Sequence, residues 1–264
     1  MPSRIITLLT DFGTADGYVG AMKGVILGIN PEARLIDLTH AIAPQHVRAA
    51  ALVLRNAVRF FPDGSIHVAV VDPGVGSARQ AILIETAHGL LLGPDNGLLA
   101  PAALTLGTRG VRVIANDALF RHPVSQTFHG RDVFAPVAAH LSRGVAPDSV
   151  GPVADSILEL TLPSARRSGQ RIDGEVLYVD HFGNLITNID VGLLSAFPPQ
   201  QLSVSIDRKP VSGPVSAYAA VPAGGAAAIV GSWDLLEVAV RDGNAAELLG
   251  AGPGTAVTVL CGET

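Results

Sequence analysis

The chain has 264 residues and a formal net charge of −5, with 48% hydrophobic and 16% charged residues. That length can bury one or two sizeable cores. The acidic balance, with no basic block, excludes nucleic acid as a partner, and the lack of any run of about 18 apolar residues excludes a helical membrane span. One cysteine, Cys261, excludes an internal disulfide and a cysteine-based zinc site. Met1-Pro2-Ser3-Arg4 leads into a strand-like run without a secretory pattern, so a cytoplasmic location is expected.

Ile5-Ile6-Thr7-Leu8-Leu9 reads as a strand that ends at Thr10-Asp11-Phe12-Gly13. Residues 16–29 carry Val19, Met22, Lys23 and Ile26 at helical spacings, with Asp16 placed to cap the helix. Leu35–Leu38 is a short strand, and residues 45–60 form a clearer helix, with Val47, Ala51, Leu54 and Val58 on one face. The run Ile66–Val71 follows as a buried strand, then paired strands at 81–86 and 89–92 and a helix over 132–143. This alternation predicts an α/β domain over residues 1–165 with a mostly parallel sheet.

Residues 161–170, polar and bearing Pro163, Ser164 and Gly169, read as a linker. Beyond it come short strands at 174–180, 184–190, 202–207, 226–230, 235–240 and 255–260, with no long helical face. Residues 170–264 are therefore expected to form a smaller all-β, barrel-like domain.

Candidate chemistry concentrates at strand ends. Asp72 and Arg79 share the Gly-rich turn Val71–Arg79, which leaves a buried strand where ligands of open α/β sheets bind. The turn is neither a P-loop nor a full dinucleotide fingerprint. Asp72 could equally cap its own turn, and Asp11 could either bond nearby N–H groups or accept two sugar hydroxyls. His129, in Phe128-His129-Gly130-Arg131-Asp132, falls on a loop that starts a helix. A metal set drawn from Asp11, Asp72, His40 and His129 is the alternative; the eight histidines include no helical ligand pair, and no metal is expected. In the second domain, Tyr178–Asn184 interrupts two good strands. The bland reading is a hairpin loop. The functional one gives Asp180 an amino group to bind, Phe182 a purine to stack on and Asn184 its edge to hydrogen-bond. Trp233 reads most simply as packing.

Six motifs in fixed order carry a resemblance: Thr10-Asp11-Phe12-Gly13-Thr14, Asp37-Leu38-Thr39-His40, Val71–Gly76, Pro94–Leu99, Phe128–Asp132 and Asp180–Asn184. Together they resemble the S-adenosyl-L-methionine (SAM) hydroxide adenosyltransferases, the adenosine-forming SAM hydrolases related to fluorinases and chlorinases. The resemblance implies an α/β domain followed by a β-barrel. It also implies a homotrimer, with SAM held between the N-terminal domain of one subunit and the C-terminal domain of the next. By the same resemblance Asp72, Arg79 and His129 are the catalytic set and Asp11 binds the ribose. Asp180, Phe182 and Asn184 contact the methionine amine and adenine, and Ser232 the methionine carboxylate. Arg241 and Asn244 lie in the matching C-terminal stretch, and Trp233 stands where the halogenating relatives carry arginine. SAM is then a small-molecule substrate and no cofactor is expected. Halogenation is disfavoured, since Asp72 would repel a halide, and those relatives carry tyrosine at the Asp72 and His129 positions. A non-catalytic SAM- or adenosine-binding protein is the third reading.

Overall fold

The computed structural model describes residues 5–262, so the first four residues, read above as preceding the first strand without a secretory pattern, lie outside the described residues. The chain forms two compact units, which meet in sequence at Thr161 and Leu162. The first contains β1 (Ile5–Thr10), α1 (Tyr18–Ile29), β2 (Arg34–Thr39), α2 (Val47–Val58), β3 (Ser65–Val70), β4 (Ala81–Thr86), β5 (Gly89–Pro94), α3 (Ala100–Leu106), β6 (Thr108–Val113) and α4 (Ala135–Ser142). Its sheet runs in the order β2-β1-β3-β5-β4-β6. The β1–β2, β1–β3 and β3–β5 ladders are parallel, while β4 is antiparallel to both of its neighbours.

Side-chain alternation divides the core between the two faces of this sheet. Ile6, Leu8, Ile66 and Val68 pack with Met22 and Ile26 of α1 and Val137 and Leu141 of α4. Leu9, Ala69, Leu91 and Ile84 pack with Ala50 and Leu54 of α2 and Ala102 and Leu106 of α3. The mostly parallel α/β reading of this unit therefore holds. Helix α3 and strand β6 went unread in the sequence, and residues 130–134 form a π-helical turn ahead of α4 rather than regular helix. Asp16 does not cap α1; Gly17 precedes the helix without a side-chain cap bond.

The second unit contains β7 (Arg166–Ser168), β8 (Arg171–Val179), β9 (Leu185–Asp190), α5 (Val191–Leu194), β10 (Leu202–Ile206), β11 (Lys209–Val215), β12 (Ala226–Val230), β13 (Leu235–Val240), α6 (Ala245–Leu249) and β14 (Ala256–Cys261). The order β14-β10-β11-β12-β13-β9-β8 closes on itself through β14–β8 pairing, giving a seven-stranded barrel as the turn-punctuated strands suggested. Ile172, Val176, Leu185, Val204, Leu236 and Val257 fill it. Strand β7, inside the segment read as linker, pairs with β8. Among the described residues no helix is long and apolar enough to cross a membrane.

Leu54 is fully buried beneath the sheet. Leu54→Ala is expected to lower the unfolding free energy by about 2–5 kcal/mol, read as a lower urea midpoint.

Candidate active site

Strand β1 lies between β2 and β3: α1 carries the chain from β1 out to β2, and α2 carries it back past β1 to β3, which reverses the direction in which strands are added. Crevices form at such reversals, outside the carboxyl ends of the strands. Thr10 of β1 pairs with Val70 of β3, so the segments bearing Asp11 and Asp72 emerge side by side. A cavity of about 410 Å³ opens there, lined by Asp11, Phe12, Tyr18, Gln45, Asp72 and His129 among others.

Asp11 accepts the Gln45 N–H at Oδ2, 2.7 Å away, and Gln45 itself adopts a left-handed backbone (φ 64°). The turn is anchored from below. Phe12 N–H donates to Thr10 Oγ1 (3.2 Å), and the same hydroxyl is hydrogen-bonded to His40 Nδ1 (2.8 Å). His40 Nε2 lies 3.0 Å from Asp37, although poorly aligned for a hydrogen bond, and Lys23 holds Asp37 at 2.6 Å. His40 is thereby engaged with Thr10 and Asp37, in the turn's support rather than with Asp72 and His129. Among the described residues no three His, Cys, Asp or Glu side chains gather as a metal-ligand set.

Arg79 joins the other two candidates. Its Nε donates to Asp72 Oδ1 (2.9 Å) and Oδ2 (3.0 Å), and its Nη2 donates to Asp72 Oδ2 and to His129 Nδ1, the latter at 2.9 Å. A guanidinium only donates, so Nδ1 must be the acceptor and a neutral His129 carries its proton on Nε2. Burial holds the His129 imidazole below its ordinary pKa; the Arg79 charge adds to that, and Asp72 and Asp132 oppose it. The Arg79 bond to Nδ1 and this downward shift both favour the neutral ring.

Two features bring these loops together. Gly76 has φ 76°, and a Cβ there would come 2.5 Å from the Gln126 carbonyl oxygen, so the Asp72 loop can approach the His129 segment only with glycine. Asp132 is fully buried and accepts from Ser125 N–H (2.9 Å), Arg121 (3.2 Å) and Arg131 (2.7 Å), which ties the segment before His129 to the start of α4. Burial pushes the Asp132 carboxyl upward, but the bonds from Arg131 and Ser125 outweigh it and leave it below its ordinary pKa.

The barrel unit has its own cavity, of about 690 Å³, lined in part by Asp180, Phe182, Asn184, Ser232, Trp233 and Glu237. Asp180 Oδ1 accepts the N–H groups of Phe182 (2.9 Å) and Asn184 (2.8 Å), and Oδ2 accepts the Asn184 side-chain amide (2.9 Å). This carboxylate therefore shapes its own loop. Phe182 is 72% exposed, its ring open to a stacking partner. Trp233 packs flat on Tyr178, with centroids 5.7 Å apart and an 18° interplanar angle, while also lining the cavity. Arg241 lines it too; Asn244 instead caps α6 through Glu247 N–H. Sequence reasoning missed Tyr218 and Glu237, both in this cavity wall. The readable signal was Glu237 itself, a lone acid in the apolar run Leu235-Leu236-Glu237-Val238-Ala239-Val240.

The SAM hydroxide adenosyltransferase N-terminal domain matches residues 6–151 and its C-terminal domain matches residues 174–258. The chain belongs to that family. It is 42% identical over 266 aligned positions to the (R)-S-adenosyl-L-methionine hydrolase of Salinispora tropica, covering 99% of both chains. A fluorinase from an Actinoplanes species is more distant, at 28% identity over 70% of this chain and 71% of its own. The crystal structure of an uncharacterized conserved protein from Thermotoga maritima superposes with a TM-score of 0.91 at 38% identity, covering 97% of this chain and 99% of that one.

An NMR titration of the His129 ring should give a pKa below about 6.5, the ordinary histidine value, and Arg79→Gln should raise it by removing the neighbouring charge. A His129 pKa above 6.5 in the unaltered protein would contradict the Arg79–His129 arrangement.

Proposed function

We propose that this protein hydrolyses SAM to adenosine and L-methionine, with water attacking C5′ of the ribose. The observation that carries the reading is the Asp72–Arg79–His129 cluster, joined by direct hydrogen bonds beside the same cavity as Asp11. The name of the Salinispora tropica relative supports it.

A sulfonium leaves as a neutral thioether, so the departing sulfur needs no proton. The difficulty is the nucleophile, because bulk water has a pKa of about 15.7. Asp72 takes the proton as water attacks C5′, and the electron pair of the C5′–S bond passes to sulfur. Arg79 holds the Asp72 carboxylate in place and faces the negative charge that develops on the water oxygen. His129, with its proton on Nε2, orients that oxygen as a hydrogen-bond donor. Asp11, with one oxygen fixed by Gln45, presents the other to the ribose hydroxyls. Holding water in line with the breaking bond supplies much of the remaining acceleration. The reaction so written uses no cofactor.

Asp72 disfavours the halogenase alternative. A halide needs donors around it, and the Asp72 side chain, 5% exposed, offers only acceptor oxygens there.

We further infer a cytoplasmic homotrimer, in which SAM meets the Asp72 cavity of one copy and the Asp180 cavity of its neighbour. Supporting this, the ribose and water-activating candidates line one cavity while the candidate contacts for adenine and methionine line another.

Incubation with SAM followed by chromatography should yield adenosine and L-methionine in equal amounts. Asp72→Asn keeps the shape but removes the base, and its single-turnover rate at saturating SAM should fall by about 10²–10⁴-fold. A variant that turns over at the original rate would make Asp72 a structural turn residue. Light scattering should report three times the 27.1 kDa chain mass; an active monomer would refute the shared site.

A further inference from the structure

Glu237 has an unusual placement for an acid. It sits mid-strand in β13, whose alternate residues Leu236, Val238 and Val240 fill the barrel. Glu237, Ala239 and Arg241 therefore project outward, and all three line the 690 Å³ cavity. An outward residue would ordinarily reach solvent, yet Glu237 is only 6% exposed. Tyr218 covers it and donates its phenol to Oε1, and Gly231 packs so closely over Oε2 that any side chain at 231 would strike the carboxylate.

Among the described residues no lysine, arginine or histidine pairs with Glu237. Arg241 is engaged elsewhere, with the Val221 carbonyl (3.0 Å) and near Asp242 (3.6 Å). A buried carboxylate without a cation is costly. Burial accordingly pushes the Glu237 carboxyl upward and the Asp180 charge adds to this, while the Tyr218 bond opposes it. The Tyr218 phenol is pushed up to about 12, first by burial and then by Glu237. Two other acids line this cavity: Asp180 already accepts three hydrogen bonds from its own loop, and Asp242, its side chain 71% exposed, lies beside Arg241.

We infer that Glu237, held by Tyr218, is the specificity-determining counter-ion for a positive group of the ligand in the barrel cavity. The inference rests on the proposal that SAM is the ligand. SAM offers two such groups, the ammonium and the sulfonium, whereas adenosine offers none. Asp180 then acts chiefly by shaping the loop that carries Phe182 and Asn184.

The isosteric Glu237→Gln variant keeps an acceptor for Tyr218 and removes the charge. It should lower kcat/KM for SAM by about ten- to hundredfold, with adenosine affinity, measured by calorimetry, unchanged. S-adenosyl-L-homocysteine, which keeps the ammonium and lacks the sulfonium, identifies the partner. A matching loss of its affinity assigns the ammonium, and an unchanged affinity assigns the sulfonium. Tyr218→Phe, which frees the carboxylate from its holder, should weaken SAM use in the same sense without touching adenosine, and it stands in if Glu237→Gln fails to fold. Unchanged kcat/KM for SAM, or an equal loss for adenosine, would overturn the inference and reduce Glu237 to a wall residue. Failure of the unaltered protein to bind SAM would instead refute the proposed substrate, and with it this role for Glu237.

Discussion

Parallel pairing of β1 with β3 is the constraint on which the N-terminal chemistry rests. The ladder aligns Thr10 with Val70, so two chain segments that are 60 residues apart leave the sheet together. Asp11 and Asp72 owe their proximity to that register, and a slip by one residue would turn the side chains of one strand to the opposite face. The two helical layers lock the register by burying Ile6 and Leu8 on one side and Leu9 and Ala69 on the other.

Arg79 is the hinge of the second constraint. One guanidinium holds a carboxylate through two nitrogens and an imidazole through one of them, and it rests on the Phe134 ring at 5.6 Å. Since a guanidinium only donates, it fixes the tautomer of the neutral His129 ring. The imidazole needs no carboxylate partner on Nδ1 to orient it. The division of labour follows: an acceptor at Asp72, donors at His129 and Arg79.

Much of this was legible in the sequence, for physical reasons. Strands β1, β3 and β4 are continuous apolar runs, as strands covered on both faces must be, and α2 declares itself by its apolar stripe. The strand-end carboxylates Asp11 and Asp72 were visible because Gly and Pro mark the turns after them. Helix α3 was obscured by Pro101 and a short Ala-rich span. Strand β11 was hidden by Pro210 and by Gly213-Pro214, residues that argue against a strand until it is seen to bulge against β12. The clamp at Asp132 was unreadable because two of its partners, Arg121 and Ser125, lie in a preceding irregular loop. The engagement of Asp180 with its own loop was equally unreadable, since a two-to-four-residue hydrogen-bond pattern looks the same in sequence as a ligand contact.

The closure of the barrel by β14 carries a consequence for biogenesis. Strand β14 inserts between β10 and β8, and its ladder with β8 joins Ala256 to Glu175 and Leu260 to Arg171. Until that strand leaves the ribosome, β8 and β10 each present an unpaired edge, the kind of surface that recruits strands from other chains. The α/β unit has no such dependence: its sheet is complete once β6 has emerged. Synthesis thus delivers a finished sheet well before the barrel can shut. The interval between the two, set by long-range pairing that is slow to form, is when a nascent chain of this protein most needs shielding from its neighbours.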